Sequence, residues 1–319
     1  MKSLMLDFLK VTESAAMAAI PWIGSGDKIK ADGAATHAMR EKLNEMCMDG
    51  RIVIGEGEID EAPMLFIGEK LGTGDFPEID IAVDPIEGTT PTVNGQSNAI
   101  TVIAAAPKGA LLHAPDMYMM KLAVGPAAKG HIDIDAPLSE NIKKVAGAKG
   151  KEMNELHVLI QDRPRHQRYV DEIRQMGAKV HLFKDGDVIY ETATCLDHLE
   201  VDLFLGIGGA PEGVLGAVAI KGLGGEMQGK LLPRSDAEYA RCIEMGLHHP
   251  EAKLTHHQLV STDKCIFAAT GITENMFLKG IQSYSDCHVT HSILIDGTER
   301  QFRLIESKHR KHEREGSRV

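Results

Sequence analysis

Residues 82–91 read AVDPIEGTTP, a stretch built around a proline, a glycine and oxygen-bearing side chains. Four polar side chains fall within seven positions: Asp84, Glu87, Thr89 and Thr90. The preceding residues 78–81, EIDI, are typical of a strand. Pro85 stiffens the connection that follows, and Gly88 lets the backbone approach a ligand closely. The pattern therefore predicts a strand that ends in a tight turn carrying two carboxylates and two hydroxyls.

The chain is acidic and long enough for a large core. It has 319 residues, 43% of them hydrophobic, and a net charge of −11. One elaborate domain or two closely joined lobes would fit that length. It has no early basic run and no aromatic-rich basic face, which argues against nucleic-acid binding. Its apolar stretches fall short of the roughly 20 residues that span a bilayer, so no membrane partner is expected.

The N-terminus and the cysteines favour a cytoplasmic protein. Asp7 and Glu13 interrupt the N-terminal segment, which is wrong for a signal peptide. The apolar residues there fit one face of an ordinary helix: Leu4, Phe8, Leu9, Val11 and Ala15. The five cysteines are odd in number and form no CxxC pair. Free thiols of this kind suit a reducing compartment.

Two styles of sequence predict two lobes. Residues 1–150 contain short strands that end in acidic loops, which is typical of a metal-site lobe. Residues 151–305 alternate strands and helices at the spacing of α/β layers with partly parallel sheets, and form the expected substrate lobe. The lobes are expected to be tightly joined and could count as one domain. Residues 306–319 contain few apolar side chains, so a disordered tail is expected there.

Further carboxylates lie where strands end or helices begin. They are Asp32 just before a helix, Glu56 and Glu58 after the strand RIVI, Asp60 at a helix N-cap with Pro63 in the first turn, and Glu212 in GGAPEG. In open α/β sheets, sites form beyond the carboxyl ends of strands. Several carboxylates in one cleft repel one another unless a divalent cation balances their charge. An all-oxygen donor set suits Mg²⁺ or Mn²⁺ better than zinc.

The sequence Asp84-Pro85-Ile86-Glu87-Gly88-Thr89 resembles the D-P-[IL]-[DE]-G-T signature of the lithium-sensitive, metal-dependent sugar phosphatases. GEGEIDEAPM at 55–64 and GIGGAPEGV at 206–214 narrow the resemblance to the class II, GlpX-type fructose-1,6-bisphosphatases. The resemblance covers most of residues 10–280. It implies a five-layer α-β-α-β-α sandwich and dependence on Mn²⁺, with Mg²⁺ as a substitute. It also implies hydrolysis of fructose 1,6-bisphosphate to fructose 6-phosphate and phosphate in gluconeogenesis, by in-line attack of a metal-bound water.

The resemblance implies roles for individual residues. Metal ligands are expected at Asp32, Glu56, Asp84, Glu87 and Glu212. Catalytic roles are expected for Asp60, Thr89 and Glu56, which would orient or deprotonate the attacking water, and for Lys28, which would stabilise charge on the phosphoryl group. Substrate contacts are expected at Glu87, Gly88, Thr89, Tyr118, Arg165, His166, Asp185, Gly186, Asp187 and Gly208.

One position departs from several relatives: Thr90 stands where they carry arginine. That change bears on the substrate contacts and leaves the phosphatase interpretation intact. The main alternative substrate is sedoheptulose 1,7-bisphosphate, used alone or beside the fructose compound. A dinucleotide-dependent oxidoreductase is disfavoured, because Pro211 stands where the fingerprint needs glycine. A non-catalytic sugar-phosphate-binding regulator on the same fold is a third alternative, which no residue supports.

The expected partners are small molecules and further copies of the chain. A sugar bisphosphate is the expected substrate. The resemblance favours a homodimer or a homotetramer. A role in carbohydrate metabolism in the cytoplasm, without nucleic acid or membrane, completes the expectation.

Overall fold

The computed structural model of the protein describes residues 1–55 and 64–311. Glu56, Glu58 and Asp60, singled out above, lie outside the described residues, and so does 312–319. Within the described ranges the chain forms two multi-stranded sheets with helices packed around and between them. The predicted layered α/β sandwich is therefore confirmed.

The strands are numbered along the chain as follows: β1 Asp49–Ile54, β2 Lys70–Leu71, β3 Glu78–Glu87, β4 Ile100–Pro107, β5 Tyr118–Val124, β6 His157–Gln161, β7 Lys179–Phe183, β8 Leu203–Gly209, β9 Glu226–Leu231, β10 Ile266–Gly271, β11 Gln282–Ser283, β12 Cys287–Asp296 and β13 Gln301–Arg310. The larger sheet has the order β11-β12-β10-β4-β3-β1-β2. The strand β13 lies outside this order and pairs with β12. The smaller sheet has the order β7-β6-β8-β5-β9. Parallel pairs occur at β1–β3, β6–β7 and β6–β8, so both sheets are mixed.

The α-helices are numbered likewise: α1 Met5–Ala19, α2 Lys28–Asn44, α3 Thr89–Val93, α4 Leu138–Lys149, α5 Gln167–Gln175, α6 Asp187–Ala193, α7 Ala210–Leu223, α8 Asp236–Glu244 and α9 His256–Leu259. Short 3₁₀ helices occupy Lys2–Leu4, Ile20–Trp22, Pro126–Ala128, Met153–Glu155 and Pro164–His166. The predicted N-terminal amphipathic helix is α1, whose buried side includes Phe8, Leu9 and Val11.

Three hydrophobic clusters produce the five layers. The first lies between α1, α2 and the outer face of the larger sheet. The second lies between the two sheets and contains α6 and α7. The third lies between the smaller sheet and the outer helices α4 and α5. Because α7 contacts both sheets, it is buried on nearly every side, and its sequence is apolar all round.

The sheets do not divide at residue 150. The smaller sheet already begins with β5, and the chain returns to the larger sheet at β10. The domain division at residue 150 stays a prediction, whereas the disordered tail predicted from residue 306 is wrong for 306–310. These residues belong to β13 and pair with β12 from Gln301 to Arg310. The segment is polar, but its backbone hydrogen bonds hold it in the sheet, and the adjoining Ile305 packs against the hydrophobic cluster on the outer face of that sheet.

Within the part of the chain that the structure describes, no helix is both long and apolar enough to cross a membrane.

Candidate active site

A polar cavity of about 430 Å³ lies where the two sheets meet, beside α3, α6 and the start of α7. It is lined by many of the residues that the sequence singled out: Asp84, Glu87, Gly88, Thr89, Tyr118, Arg165, Asp185, Gly186, Asp187, Gly208 and Glu212. They come from segments spread over more than a hundred residues of the chain. The fold thus brings together side chains that the motifs only suggested would meet.

The strand β3 delivers the first carboxylates. It runs through Glu87 rather than ending after residue 81, and its register against β4 shifts between Asp84 and Glu87. Pro85 sits in this shift, where a missing N–H does not break the ladder. Gly88 follows with φ of 95°, a conformation that glycine adopts without strain. The predicted turn is therefore an irregular strand end followed by the short helix α3.

Three carboxylates form a group that could hold a metal ion. Asp84, Glu87 and Glu212 each offer an oxygen, and these oxygens lie within 4.8 Å of one another. Glu212 is in the first turn of α7, where the helix dipole favours negative charge. Its Oε2 atom is buried and has no hydrogen-bond partner among the described residues. An orphaned buried oxygen in an all-carboxylate group fits a hard divalent cation.

The electrostatics of this group also call for a cation. Burial, and then the charges of Glu212 and Asp187, raise the pKa of Glu87 well above its ordinary range. Burial likewise raises the pKa of Glu212, although Lys121 opposes that rise. Burial thus makes the ionised forms of these carboxyls costly, and a bound cation would favour those ionised forms.

Asp32 stands behind the cavity rather than in its lining. The Thr89 hydroxyl lies 2.9 Å from Asp32 Oδ1 and 3.2 Å from the carbonyl oxygen of Ile86. Burial raises the pKa of Asp32, partly offset by the hydrogen bond from Thr89. Asp32 lies inside α2, not before it, because the helix begins at Lys28 and the Asp27 side chain caps it by accepting from Lys30 N–H. The helix also runs through Gly33, the residue that follows Asp32.

A second wall of the cavity is cationic and aromatic. The Arg165 guanidinium donates to the carbonyl oxygen of Ile207 at 2.8 Å and to Gln161 Oε1 at 2.7 Å. It lies 5.0 Å from the centre of the Tyr118 ring, and Arg234 lies 4.6 Å from the same ring. Arg165 is thus fixed at the cavity wall by backbone, amide and ring.

The loop before α6 supplies acidic groups to the same cavity. Asp185 Oδ1 accepts a hydrogen bond from Arg163 at 2.9 Å. Gly186 has φ of 100° and turns the chain into α6, which begins at Asp187. The carboxylate of Asp187 accepts from the Lys121 ammonium at 2.7 Å.

Besides Asp32, two further predicted residues lie apart from the cavity lining. His166 is fully buried, with Nδ1 2.7 Å from the carbonyl oxygen of Gln161 and Nε2 accepting from Ile207 N–H at 2.8 Å. It thereby ties β6 to β8, and its contact with a substrate stays a prediction. Lys28 is exposed at the first residue of α2. The expected roles of Glu56 and Asp60 fall on residues outside the described ranges.

Sequence reasoning missed several residues at the site. Arg163 and Gln161 line the cavity, and Lys121 and Glu191 are buried behind it. Arg163 could have been predicted from the sequence, since it stands two positions before Arg165 in the basic segment RPRHQR. A signal for Lys121 also existed, because a lysine in the middle of the apolar strand YMMKLAV cannot reach water easily.

Comparisons with known proteins identify the family of this chain. The family model described as bacterial fructose-1,6-bisphosphatase, glpX-encoded, matches residues 2–309. Fructose-1,6-bisphosphatase 1 class 2 of Escherichia coli strain K12 is 49% identical, over 97% of this chain and 95% of its own. Fructose-1,6-bisphosphatase class 2 of Haemophilus influenzae strain Rd is 48% identical, over 97% and 96%. The chain therefore belongs to the family of bacterial, glpX-encoded fructose-1,6-bisphosphatases.

Proposed function

We propose that this protein is a phosphatase that hydrolyses the 1-phosphate of fructose 1,6-bisphosphate, giving fructose 6-phosphate and phosphate. The observation that carries the proposal is that one cavity has an acidic wall and a basic wall. One wall groups three carboxylates, Asp84, Glu87 and Glu212, and the other holds fixed guanidinium groups. A substrate with two phosphates needs both walls, one for the reacting group and one for the second anion. The family membership supports the same substrate.

A divalent cation is the partner that this carboxylate wall requires. Asp84, Glu87 and Glu212 would hold it, and we propose Mn²⁺ as the preferred ion with Mg²⁺ as a substitute. When bound, such a cation offsets the phosphoryl charge and lowers the pKa of water. Without it, a bisphosphate would meet an acidic surface on a protein whose net charge is −11.

The chain's own residues position the water and the substrate. The Thr89 proton is directed toward Asp32, so the Thr89 oxygen accepts a hydrogen bond from the attacking water and orients it. Arg165 binds the second phosphate, since its planar fork can donate two parallel hydrogen bonds. Tyr118 stacks below Arg165 and keeps it in the cavity.

Other residues complete the proposed site. Asp185 and Asp187 accept hydrogen bonds from sugar hydroxyls, and the backbone at Gly88 and Gly208 lets the sugar approach closely. Glu56 and Asp60 assist in orienting or deprotonating the water. Lys28 stabilises phosphoryl charge from the rim of the site.

The decisive experiment measures phosphate release by the purified protein from three substrates, with Mn²⁺, with Mg²⁺ and with a chelator. The substrates are fructose 1,6-bisphosphate, sedoheptulose 1,7-bisphosphate and inositol 1-phosphate. Metal-dependent release that favours the fructose substrate, with fructose 6-phosphate identified by ³¹P NMR, is expected. Preference for the seven-carbon sugar would overturn the substrate, and no release by folded protein would overturn the phosphatase. The variant Glu212→Gln serves as the inactive control.

The remaining proposals concern the setting of the enzyme. A role in gluconeogenesis in the cytoplasm is proposed from the family and from the free cysteines. A homodimer or homotetramer is proposed on the same family ground, and sedimentation velocity distinguishes these from a monomer.

A further inference from the structure

A fully buried lysine stands directly behind the acidic wall of the cavity. Lys121, in β5, has no exposed side-chain surface. Its Nζ atom lies 2.7 Å from Asp187 Oδ2 and 2.7 Å from Glu191 Oε1. Both carboxylates come from α6, one turn apart. A buried ammonium is costly unless it is paired in this way, so the arrangement requires a reason beyond packing.

Glycines on β8 and α7 make room for this group. A Cβ atom on Gly208 would lie 2.0 Å from Asp187 Oδ2 and 3.2 Å from Lys121 Nζ. One on Gly216 would lie 1.7 Å from Glu191 Oε2, and one on Gly213 would lie 3.0 Å from Lys121 Cδ. The glycines of GIGGAPEGVLG therefore leave space for charged side chains. This need for space explains why the segment is rich in glycine like a nucleotide-binding loop, without nucleotide binding.

Of the three residues Lys121, Asp187 and Glu191, one reaches the cavity. Asp187 lines the cavity, whereas Lys121 and Glu191 do not. The positive charge of Lys121 also opposes the raised pKa values of Glu87 and Glu212. Glu191 is fully buried, and neither of its carboxylate oxygens has a hydrogen-bond partner among the described residues, although Oε1 forms the ion pair with Lys121. Glu191 therefore sits where its main effect is to offset the charge of Lys121.

We propose that Lys121 and Glu191 are positioning residues of this enzyme. Lys121 anchors Asp187 toward the sugar, and Glu191 offsets the lysine charge so that the neighbouring carboxylates keep their affinity for a divalent cation. The part of the inference that concerns the sugar rests on the proposed function. The part that concerns the cation rests on the buried charges alone.

Two variants separate these two effects. Glu191→Gln removes one negative charge and keeps the Lys121–Asp187 bond, so the Kd for Mn²⁺ rises about tenfold while KM changes little. Lys121→Met combined with Glu191→Gln restores the net charge but releases Asp187. For this double variant, the Kd for Mn²⁺ returns to within about threefold of the parent, and KM for fructose 1,6-bisphosphate rises at least about tenfold.

Asp202→Asn is the matched control. It removes a buried carboxylate paired with Lys149 and Lys151 at the opposite end of β8, away from the cavity. This variant lowers the unfolding temperature and leaves the Kd for Mn²⁺ and KM unchanged. Calorimetric titration with Mn²⁺ alone, steady-state kinetics and thermal unfolding are measured on all variants.

The measured Kd and KM values of the variants together decide whether the proposal holds. An unchanged Kd for Mn²⁺ in folded Glu191→Gln, or weaker Mn²⁺ binding in the double variant than in the single one, overturns it. An unchanged KM in the double variant overturns the role of Lys121. Should the double variant fail to fold, Lys121→Arg keeps the charge and alters the bond to Asp187, so that KM must rise at constant Kd. If the parent released no phosphate, the proposed function would fail, and Mn²⁺ binding would still decide the charge effect.

Discussion

The two ends of β8 carry buried ion-pair clusters of opposite design. At the start of the strand, Asp202 is fully buried and lies 2.5 Å from Lys149 and 2.8 Å from Lys151, whose side chains remain 23% and 29% exposed. At the end of the strand, Lys121 is fully buried and carboxylates outnumber it. The first cluster is satisfied by its own members, with lysines that still reach water. The second contains more carboxylates than ammonium groups, and a bound divalent cation would balance the difference.

The difference shows how the molecule separates stability from function. A satisfied cluster holds a strand, a helix and a loop together and does not need a ligand. An unbalanced cluster lowers the stability of the empty protein, and under our proposal it is retained because binding requires it. Each prediction below tests whether the two ends differ in this way.

The largest effect is expected from Glu212→Gln at the cavity end. The variant loses a carboxylate of the proposed metal group, and we expect activity to fall about 10²-fold or more. The metal-free variant is expected to unfold at the same temperature as the parent or higher, because a buried charge without a hydrogen-bond partner at Oε2 is removed. Phosphate release and calorimetric unfolding check both. A clear drop in the unfolding temperature of the metal-free variant would contradict the comparison.

Gly216→Ala is expected to damage the cavity end through packing. The added Cβ would lie 1.7 Å from Glu191 Oε2, so the buried carboxylate must move, at a cost of about 3 kcal/mol in the free energy of unfolding. Urea denaturation measures this loss.

Gly147→Ala is the matched control near the other end of β8. It lies inside α4 with no atom within 4 Å of the added Cβ, and we expect it to stabilise by about 0.5 kcal/mol. Equal effects of the two substitutions would show that the space at Gly216 is not reserved for Glu191.

Asp202→Asn is expected to cost about 2 kcal/mol in the free energy of unfolding, with activity retained. The cost is moderate for a buried ion pair because both lysines can turn toward water. Urea denaturation and phosphate release are the measurements. A loss of activity at full metal saturation would mean that the two ends of β8 are coupled.

The most local of the expected effects is a difference in acid sensitivity between the two ends of β8. Burial lowers the pKa of His166 below 6.5, so the stability from its neutral ring is present above about pH 6.5 and is lost as the pH falls through the folded pKa. Burial acts to raise the pKa of Asp202, but its lysine partners outweigh burial and lower that pKa. Its contribution is therefore lost only as the pH falls below about 4.

Hydrogen exchange of two amides measures this difference. Ile207 N–H donates to His166, and His157 N–H donates to Asp202 at 2.8 Å. Between pH 7 and pH 5, the protection factor of Ile207 is expected to fall on the order of tenfold, while that of His157 stays constant. Equal losses at both amides would contradict the local origin of the effect.

The sequence was most informative where the functional residues lie close together along the chain. Asp84 and Glu87 are three positions apart on one strand end, so their meeting required no knowledge of the fold. The segments HVLIQ and KVHLF form β6 and β7, in line with the strand–helix alternation predicted for residues 151–305, because their apolar runs are short and bracketed by turn residues. The layered α/β sandwich follows from the alternation of such segments with helices.

What the sequence did not reveal depends on long-range contacts. Lys121 and Asp187 are 66 positions apart, and Asp32 and Thr89 are 57 apart, so only the folded backbone brings each pair together. The strand β13 escaped notice because hydropathy measures side chains, whereas this strand is held by backbone pairing with β12. The glycines of GIGGAPEG gave no sign that Asp187 and Lys121 would occupy the space beside Gly208.

The sheet order has a consequence for the making of the protein. In the finished larger sheet, β10 lies between β4 and β12, yet β4 is made long before β10. During synthesis on a ribosome, one edge of β4 therefore stays unpaired while the whole smaller sheet is produced. An open apolar edge of this kind invites pairing with other chains. The nascent protein is thus most exposed to aggregation in the interval between the emergence of β4 and that of β10.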